Sequence, residues 1–383
     1  MTHNTKTLNS LVKKVVQHSQ LSHCFTIHAN CTIIPVGQGK PLFDVFIKNR
    51  NGLKAVISLD ELAISEAYML GDIDIEGDLI EAIQLKPNLT DRNIGIKLWR
   101  KLQPLLLGRT KCNPQWIAKH YDSANIQLFC TDHDYDTYTP GNYSHDDESM
   151  ESGARRKLDL AFQSLNLKIN DRVLDIGCGW GGFLRYAARE KVDVTGITLS
   201  NEQKKYVEQL IEREKFKADV LYQDFFTFSP NAKYDAAVAM GVIEDLSDYR
   251  RVMRHLLTLI KPGGRVYFDF AATKERFGTS TFITKYIWPG TFRMVYMPEF
   301  IDAVSKSPFE IISIENDRRN YHLWAKKLYE RWIQHKEEIL SQSDEVLWRK
   351  FLLLFAGTSG IMKNPDYETT AYRVVLELPA DHL

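Results

Sequence analysis

The sequence lacks an excess of charge of either sign, since its 383 residues carry 49 Lys plus Arg and 49 Asp plus Glu. A zero formal charge argues against a nucleic-acid binder that relies on a broad basic surface. No uninterrupted apolar run approaches the roughly 20 residues that span a bilayer. Residues Met1 to Gln20 also lack the continuous apolar stretch of a signal peptide. These absences predict a cytoplasmic protein that is soluble or peripheral at the inner face of the membrane.

Cysteine is scarce as well. The odd number and the absence of any CxxC pair favour a reducing compartment over a disulfide framework. No pattern of His and Cys has metal-ligand spacing, so no metal is expected. The cysteines are Cys24, Cys31, Cys112, Cys130 and Cys178.

The length implies two domains, because one core usually serves roughly 100–200 residues. Short apolar runs and turns in residues 1–90 predict a small α+β domain, with Asn51-Gly52 as a strong turn signal. Its strands are expected at Phe25–Pro35, Leu42–Ile47 and Lys54–Leu59, and its helices from a cap at Asp60 to Met69 and near Leu79–Ile83.

Residues 91–115 are expected to form a linker. Within it, Ile94–Thr110 predicts a helix with a leucine face and the cations Lys97, Arg100, Lys101 and Arg109. One interpretation is a membrane-surface helix attracted to anionic headgroups. The other is an interdomain helix with a solvated basic face.

Residues 116–383 alternate strand and helix patterns, which predicts an α/β domain with a mostly parallel sheet and helices on both faces. Two later β-rich segments would complete a sheet of seven strands. The expected strands are Arg172–Ile176, Val192–Ile197, Asp219–Tyr222, Tyr234–Met240, Arg265–Phe270, Phe309–Ile314 and Ala371–Leu378, and the helices are Gly181–Glu190, Asn201–Lys215 and Asp248–Ile260.

A glycine-rich segment, Val173–Gly182, sits at the carboxyl end of the first of these strands, where doubly wound sheets bind ligands. Gly177 and Gly179 allow a tight turn and a close approach of a cofactor to the backbone. A glycine-rich turn alone is also found in dehydrogenases, but the spacing here is GxGxGG. The wording LDIGCGWG resembles the first turn of class I methyltransferases, which implies S-adenosylmethionine as cofactor. The residues expected to bind it here are Asp175, Gly177, Cys178, Gly179 and Gly181.

Polar residues follow the next two strands. Many class I methyltransferases hold the ribose hydroxyls with an acidic residue at the second strand end, and the dehydrogenase interpretation needs such an acid too. At the second strand end this sequence has Thr198, Ser200 and Gln203 instead of an acidic residue. After the third strand, the Asp224 carboxylate could meet the adenine amino group. The expected cofactor residues are Thr198, Leu199, Ser200 and Gln203 after the second strand, and Gln223 and Asp224 after the third.

Several further motifs carry a resemblance to one family. They are His120-Tyr-Asp122 with Asn125, Tyr138-Thr139, the run ITLSNEQ, Thr284–Gly290, Tyr321, and Tyr329–Trp332. The sequence resembles the cyclopropane fatty acid synthase and mycolic acid cyclopropane synthase family over nearly its whole length.

The resemblance implies a class I methyltransferase fold in which Tyr138 and Thr139 contact the cofactor. It also implies that the substrate is an unsaturated acyl chain on a membrane phospholipid, met transiently at the membrane surface, with cyclopropane formation as the reaction. A homodimer is expected by analogy with bacterial members, and no nucleic acid is expected as a partner.

The family's usual base is a bound bicarbonate, and its cradle is incomplete here. Glu244 is kept, but Pro140 stands where the family has cysteine, and Asp245 and Asp269 stand where it has histidines. Two carboxylates at about 4 Å repel by roughly 1–4 kcal/mol, so an added anion would bind poorly and one carboxyl pKa would rise.

We therefore predict that a protein carboxylate, Glu244 or Asp269, serves as base or cation stabiliser, with Tyr321 as an orienting hydroxyl. The alternative is that Asp269 only caps a helix or contacts a lysine. Three functions stay open: cyclopropane synthesis, a related C-methylation that leaves a methyl or methylene branch, and an inactive lipid- or cofactor-binding paralogue.

Overall fold

The computed structural model describes residues 24–29, 32–91, 93–106, 128–276, 280–288 and 293–381. Its first part is built on a four-stranded sheet in the order β2-β1-β3-β4, in which β1 pairs antiparallel with β2 and parallel with β3. The elements are β1 (Phe25–Ala29), β2 (Thr32–Val36), β3 (Phe43–Ile47), α1 (Arg50–Ser58), α2 (Glu61–Met69), β4 (Ile73–Gly77), α3 (Leu79–Ile83) and α4 (Ile94–Leu106).

The predicted strand at Lys54–Leu59 is wrong, because α1 occupies that stretch. The Asn49 side chain accepts hydrogen bonds from the backbone N–H groups of Asn51 and Gly52 and so caps the helix. Gly52 is required there by packing, since a Cβ at this position would lie 2.3 Å from the Asp72 carbonyl oxygen. The turn signal is therefore the first turn of a helix packed against the chain leading into β4.

The other expectations for this part are met more closely. Asp60 caps α2 by accepting from the Ala63 N–H at 2.9 Å, and α3 has the predicted bounds. The single strand predicted over Phe25–Pro35 is two paired strands, β1 and β2. The helix predicted over Ile94–Thr110 is present as α4, and residues 107–110 lie outside the described part of the chain.

The second sheet carries seven main strands in the order β11-β12-β9-β8-β5-β6-β7, and a two-residue strand, β10, adds to β9. Strands β5 to β9 run parallel, and β12 is antiparallel to both β9 and β11. The strands are β5 (Arg172–Ile176), β6 (Asp193–Thr198), β7 (Ala218–Tyr222), β8 (Tyr234–Met240), β9 (Ile260–Thr273), β10 (Val295–Tyr296), β11 (Glu310–Asn316) and β12 (Thr369–Glu377).

Helices cover both faces of this sheet, as the alternating pattern predicts. Apolar clusters lie on either side of the strands, and Val173, Leu174, Val238 and Phe268 are fully buried. The helices are α5 (Met150–Ser164), α6 (Gly182–Arg189), α7 (Asn201–Glu214), α8 (Tyr249–Leu259), α9 (Met297–Ser305), α10 (Arg318–Gln334), α11 (Lys336–Gln342) and α12 (Glu345–Lys363).

A separate apolar cluster joins the two parts of the fold. It packs Leu62 and Leu79 from the small part against Trp332 of α10 and Phe355 of α12. This junction is therefore a shared core that forms one wall of the site described below. Among the described residues, no helix combines the length and apolar content needed to cross a membrane.

Candidate active site

A cavity of about 400 Å³ opens between the carboxyl ends of the parallel strands and the apolar junction. It brings together most of the residues singled out in the sequence. Those that line it are Tyr138, Thr139, Asp175, Gly177, Cys178, Gly179, Thr198, Leu199, Gln203, Gln223, Asp224, Glu244 and Tyr321. Gly181, Ser200 and Asp269 lie outside its lining.

The glycine turn after β5 leaves an open cradle. Gly177 and Gly179 have φ values of +67° and +54°, a left-handed conformation that favours glycine. A Cβ at Gly177 would lie 2.5 Å from Val242 Cγ2, whereas a Cβ at Gly179 would meet no atom within 4 Å. Gly177 is thus required by packing, and Gly179 borders free space that a ligand can fill.

Asp175, at the floor of this cradle, has a carboxylate oxygen in need of a partner. The Leu184 N–H donates to the carboxyl, but Oδ2 is buried without a hydrogen-bond partner in the described structure. Burial raises the pKa of Asp175 to about 7. An unpaired buried polar atom is costly, so a ligand that donates a hydrogen bond here would be favoured.

The predicted residues after β6 form one hydrogen-bonded unit. Ser200 is fully buried and caps α7, with its Oγ accepting from the Gln203 N–H at 3.2 Å. Thr198 donates from Oγ1 to Gln203 Oε1 at 2.7 Å. Because Oε1 accepts this bond, the Gln203 amide presents its NH₂ group as a donor at the cavity. Ser200 therefore positions Gln203 at the site.

The residues after β7 are also held in place. Asp224 Oδ1 accepts from the Phe226 N–H at 2.7 Å, and Gln223 Nε2 donates to Thr227 Oγ1 at 2.8 Å. Both side chains line the cavity at the edge next to β6.

Glu244 is placed as a candidate proton acceptor. Its Oε1 accepts from the Ala271 N–H at 2.8 Å, while Oε2 is buried and has no hydrogen-bond partner among the described residues. Burial raises the pKa of Glu244 to about 8, and the nearby Asp245 and Asp269 carboxyls add to the increase. A carboxyl with a raised pKa can take up a proton near neutral pH.

Tyr321 and Asp245 share this end of the cavity. Burial raises the pKa of the Tyr321 phenol well above its ordinary value, and the Glu244 carboxyl raises it further. Burial also raises the pKa of Asp245 to about 7. Tyr321 therefore stays a neutral hydroxyl that can donate or accept a hydrogen bond beside two carboxyl groups.

Asp269 lies beside a lysine, which is one of the two environments that the sequence left open. Its Oδ2 lies 2.8 Å from Lys157 Nζ, and the two side chains are 1% and 2% exposed. This pairing fits the alternative in which Asp269 contacts a lysine. Lys157 also donates to Thr139 Oγ1, so the Thr139 hydroxyl accepts from the ammonium and must direct its own proton elsewhere.

Lys157 belongs to no motif singled out above, but its position on a helix could have identified it. Lys157 lies in α5 next to Ala154, Leu158 and Ala161, which are all buried. A lysine on the apolar face of a helix is rarely buried without a partner. The partner, Asp269, lies on β9 and is known only from the fold.

We expect Lys157→Met to lower the free energy of unfolding by about 3–5 kcal/mol, because it leaves the Asp269 charge buried without its partner. The double variant Lys157→Met/Asp269→Leu should be more stable than the single one. Urea unfolding followed by circular dichroism measures both.

The matched control is Lys205→Met, whose ion pair with Glu202 is largely exposed and should change stability by less than about 1 kcal/mol. A similarly small effect of Lys157→Met would contradict the buried pair.

The charge of the cavity lining is strongly asymmetric. Lys86 is the only lysine or arginine among the described lining residues. The acidic residues of the lining are Glu61, Asp136, Asp175, Asp224, Glu244 and Asp245. Because burial raises the pKa values of Asp175 and Asp245 to about 7 and that of Glu244 to about 8, these carboxyls ionise fully only above neutral pH. A bound cation would favour their ionised forms, whereas an added anion would oppose them.

Beyond Glu244 the cavity continues as an apolar arm against the small part of the fold. Trp288 lies in this arm, whereas Tyr286 donates from its hydroxyl to Glu66. The apolar residues of the arm include Ile64, Ile75, Leu79, Ile83, Leu89, Phe282, Ile283, Leu353, Leu354 and Ile361. His120, Asp122 and Asn125 lie outside the described residues.

Comparison with known proteins finds one matching family and several similar proteins. The family model described as mycolic acid cyclopropane synthetase matches residues 109–369. A cyclopropane-fatty-acyl-phospholipid synthase of Escherichia coli is 27% identical over 343 residues, which are 85% of this chain and 86% of that protein. A sphingolipid C9-methyltransferase of Komagataella phaffii is 23% identical, over 81% of this chain and 68% of its own length.

Solved structures show the same fold. A cyclopropane synthase from Mycobacterium tuberculosis superposes with a TM-score of 0.64 at 20% identity, covering 69% of this chain and 97% of that one. A coclaurine N-methyltransferase bound to N-methylheliamine and SAH gives a TM-score of 0.65 at 15% identity, over 82% of this chain and 98% of its own. The predicted α/β fold of a class I methyltransferase, with a small sheet before it, is confirmed.

Proposed function

The chain belongs to the mycolic acid cyclopropane synthetase family, and from this premise we propose that it converts the double bond of an unsaturated phospholipid acyl chain into a cyclopropane. The observation that carries the proposal is the continuity of one cavity. The glycine turn, the unpartnered oxygen of Glu244 and the apolar arm all border the same space.

S-adenosylmethionine is the cofactor, and the residues of this cavity fit it. The cradle at Gly179 is open, the buried Asp175 Oδ2 needs a donor, and the acidic lining suits a ligand with a sulfonium and an ammonium group. When bound, the cofactor supplies an electrophilic methyl group. We assign its binding to the lining residues predicted from the sequence. Gly181 and Ser200 lie outside the lining, where Gly181 supports the glycine turn and Ser200 supports Gln203.

The residues around Glu244 then perform the steps on the lipid. The bound cofactor would offer its methyl group to the alkene of the acyl chain: the methyl–sulfur bond would break as the π electrons form the new carbon–carbon bond, S-adenosylhomocysteine would leave, and the positive charge would pass to the acyl chain. Glu244 Oε2 accepts a proton from the new methyl group, and the C–H electron pair closes the ring. Tyr321 orients the carboxylate, and the acidic lining stabilises the positive charge before the proton leaves.

A protein carboxylate as base makes a bound bicarbonate unnecessary. An anion would have to enter a lining that already holds Glu244 and Asp245, where it would oppose the ionisation of both carboxyls. Asp269, paired with Lys157 and outside the lining, is assigned the role of a positioning residue. Full activity in bicarbonate-depleted buffer is the expected result, and strict dependence on added bicarbonate would overturn this assignment.

A second candidate reaction is favoured by the same substitutions. Pro140 and Asp245 replace groups of the family's anion cradle, so the proton could be lost from a different carbon after a hydride shift. The product would then carry a methylene branch. This candidate shares the cofactor, the acyl substrate and Glu244 with the first.

Incubation with methyl-labelled S-adenosylmethionine and mixed unsaturated phospholipids tests the proposal. We expect labelled acyl chains with the high-field ring protons of a cyclopropane in the NMR spectrum. Mass alone does not separate the two candidates, because each product gains one CH₂. Vinylidene protons would support the methylene branch, and cofactor binding without any labelled lipid would support the inactive paralogue.

The cellular setting forms part of the proposal. We infer a cytoplasmic enzyme that meets its lipid transiently at the membrane surface, and a homodimer by analogy with bacterial relatives. The apolar arm supports a lipid substrate, and light scattering in solution measures the subunit number.

A further inference from the structure

Helix α4 presents an exposed apolar stripe. Ile94, Leu98, Trp99 and Leu102 are 76%, 54%, 47% and 40% exposed. Spacings of four, five and eight residues from Ile94 place them on one side of a helix. Ile96 faces the other way and packs against the apolar junction. The helix is therefore anchored by one side and leaves its more apolar side uncovered in the described structure.

The charges of this segment point to a lipid surface. Residues 94–111 contain five lysines and arginines and no acidic residue: Lys97, Arg100, Lys101, Arg109 and Lys111. On the helical wheel, Lys97 and Lys101 flank the stripe next to Ile94. Apolar and Trp side chains bordered by cations are the pattern of a helix that lies in the interface of an anionic bilayer. A second copy of this stripe would bring the cations of both copies together, which is unfavourable.

The segment that leads into α4 lies at the cavity. Lys86 and Leu89 line the cavity a few residues before α4 begins. The Thr90 N–H donates to the Leu59 carbonyl oxygen at 2.7 Å, and the Asn93 amide reaches the Asp60 carboxylate at 3.4 Å. These contacts fix the start of α4 beside the cavity wall, so a surface bound by α4 lies next to the apolar arm.

We propose that α4 docks this protein on an anionic phospholipid bilayer, with Ile94, Leu98, Trp99 and Leu102 among the acyl chains and the Lys86–Leu89 edge of the cavity facing the surface. Docking itself does not depend on the reaction. Its purpose, the transfer of an acyl chain from the bilayer into the apolar arm, rests on the proposed function.

Sedimentation with vesicles tests the docking. The full chain, without cofactor, is mixed with vesicles of phosphatidylcholine containing 30 mol% phosphatidylglycerol, and the bound fraction is measured for wild type and for Leu98→Glu/Trp99→Glu. We expect at least a tenfold loss of binding in the variant and weaker binding of the wild type at high salt. Circular dichroism checks that both proteins are folded.

The matched control is Ile311→Glu/Ile312→Glu, which places the same charges at exposed apolar residues of the distant strand β11. This variant should bind vesicles like the wild type. Equal binding by the α4 variant and the wild type would overturn the proposal. A change in subunit number with unchanged vesicle binding would also overturn it, and would assign the stripe to a second copy of the chain.

Methyl transfer separates this inference from the proposed function. Transfer to vesicle lipid should fall at least tenfold in the α4 variant, while transfer to the same lipid dispersed in detergent should stay within twofold of the wild type. Vesicle binding that depends on α4, without transfer to any lipid by the wild type, would keep the docking and reject the function.

Discussion

Glu244→Gln is expected to lower kcat for lipid methylation by at least about 100-fold, the usual effect of losing a general base, with cofactor affinity nearly unchanged. The amide keeps the size of the side chain and can still accept the Ala271 N–H, but it cannot take up a proton. Product formation from labelled cofactor measures kcat, and calorimetry with S-adenosylhomocysteine measures the affinity.

The pH profile distinguishes a base from a packing residue. A base must be ionised, and burial raises the pKa of Glu244 to about 8, so kcat/KM of the wild type should rise with pH and level off above about 8. Asp175 and Asp245, whose pKa values burial raises to about 7, titrate at lower pH. Glu244→Gln should remove the limb near pH 8 and leave the lower ones.

Glu148→Gln is the control for a buried glutamate outside the cavity. Glu148 forms an ion pair with Arg156, which holds its pKa down at about 2. Glu148→Gln should lower the free energy of unfolding. At a temperature where this variant is folded, its kcat should equal that of the wild type. Wild-type activity in Glu244→Gln, or an unchanged pH profile, would show that another group is the base.

Gly179→Ala is expected to weaken binding of S-adenosylhomocysteine at least tenfold without unfolding the protein. The new Cβ would meet no protein atom, so its steric effect falls on the ligand that fills the cradle. The left-handed backbone at φ +54° adds a cost of about 1–2 kcal/mol to stability. Calorimetric titration and thermal unfolding separate the two effects.

Gly71→Ala supplies the matched control, because Gly71 has a φ of +75°, also has open space around its Cβ position, and lies outside the cavity lining. It should show the same loss of stability and normal cofactor affinity. If the two variants bind S-adenosylhomocysteine equally well, the cradle at Gly179 is not the cofactor site.

The order of strands and helices after residue 150 could be predicted from the sequence because apolar periodicity is local. The expected strands at Arg172–Ile176 and Tyr234–Met240 have the observed bounds. The strand predicted at Lys54–Leu59 failed because a cap at Asn49 and the packing of Gly52 against Asp72 favour a helix there. Asp72 lies outside the stretch of sequence from which the strand was predicted, so its contact with Gly52 could not be foreseen.

The sequence by itself predicted the glycine turn that we propose as the cofactor site, since Asp175, Gly177 and Gly179 lie close together in the chain between a strand and a helix. Only the tertiary structure decided what surrounds Glu244. It paired Asp269 with Lys157 rather than with the cavity, placed Tyr321 beside Glu244, and closed the apolar arm with the small part of the fold. A contiguous motif can be read directly from the sequence, whereas contacts between distant residues depend on how the helices and strands pack.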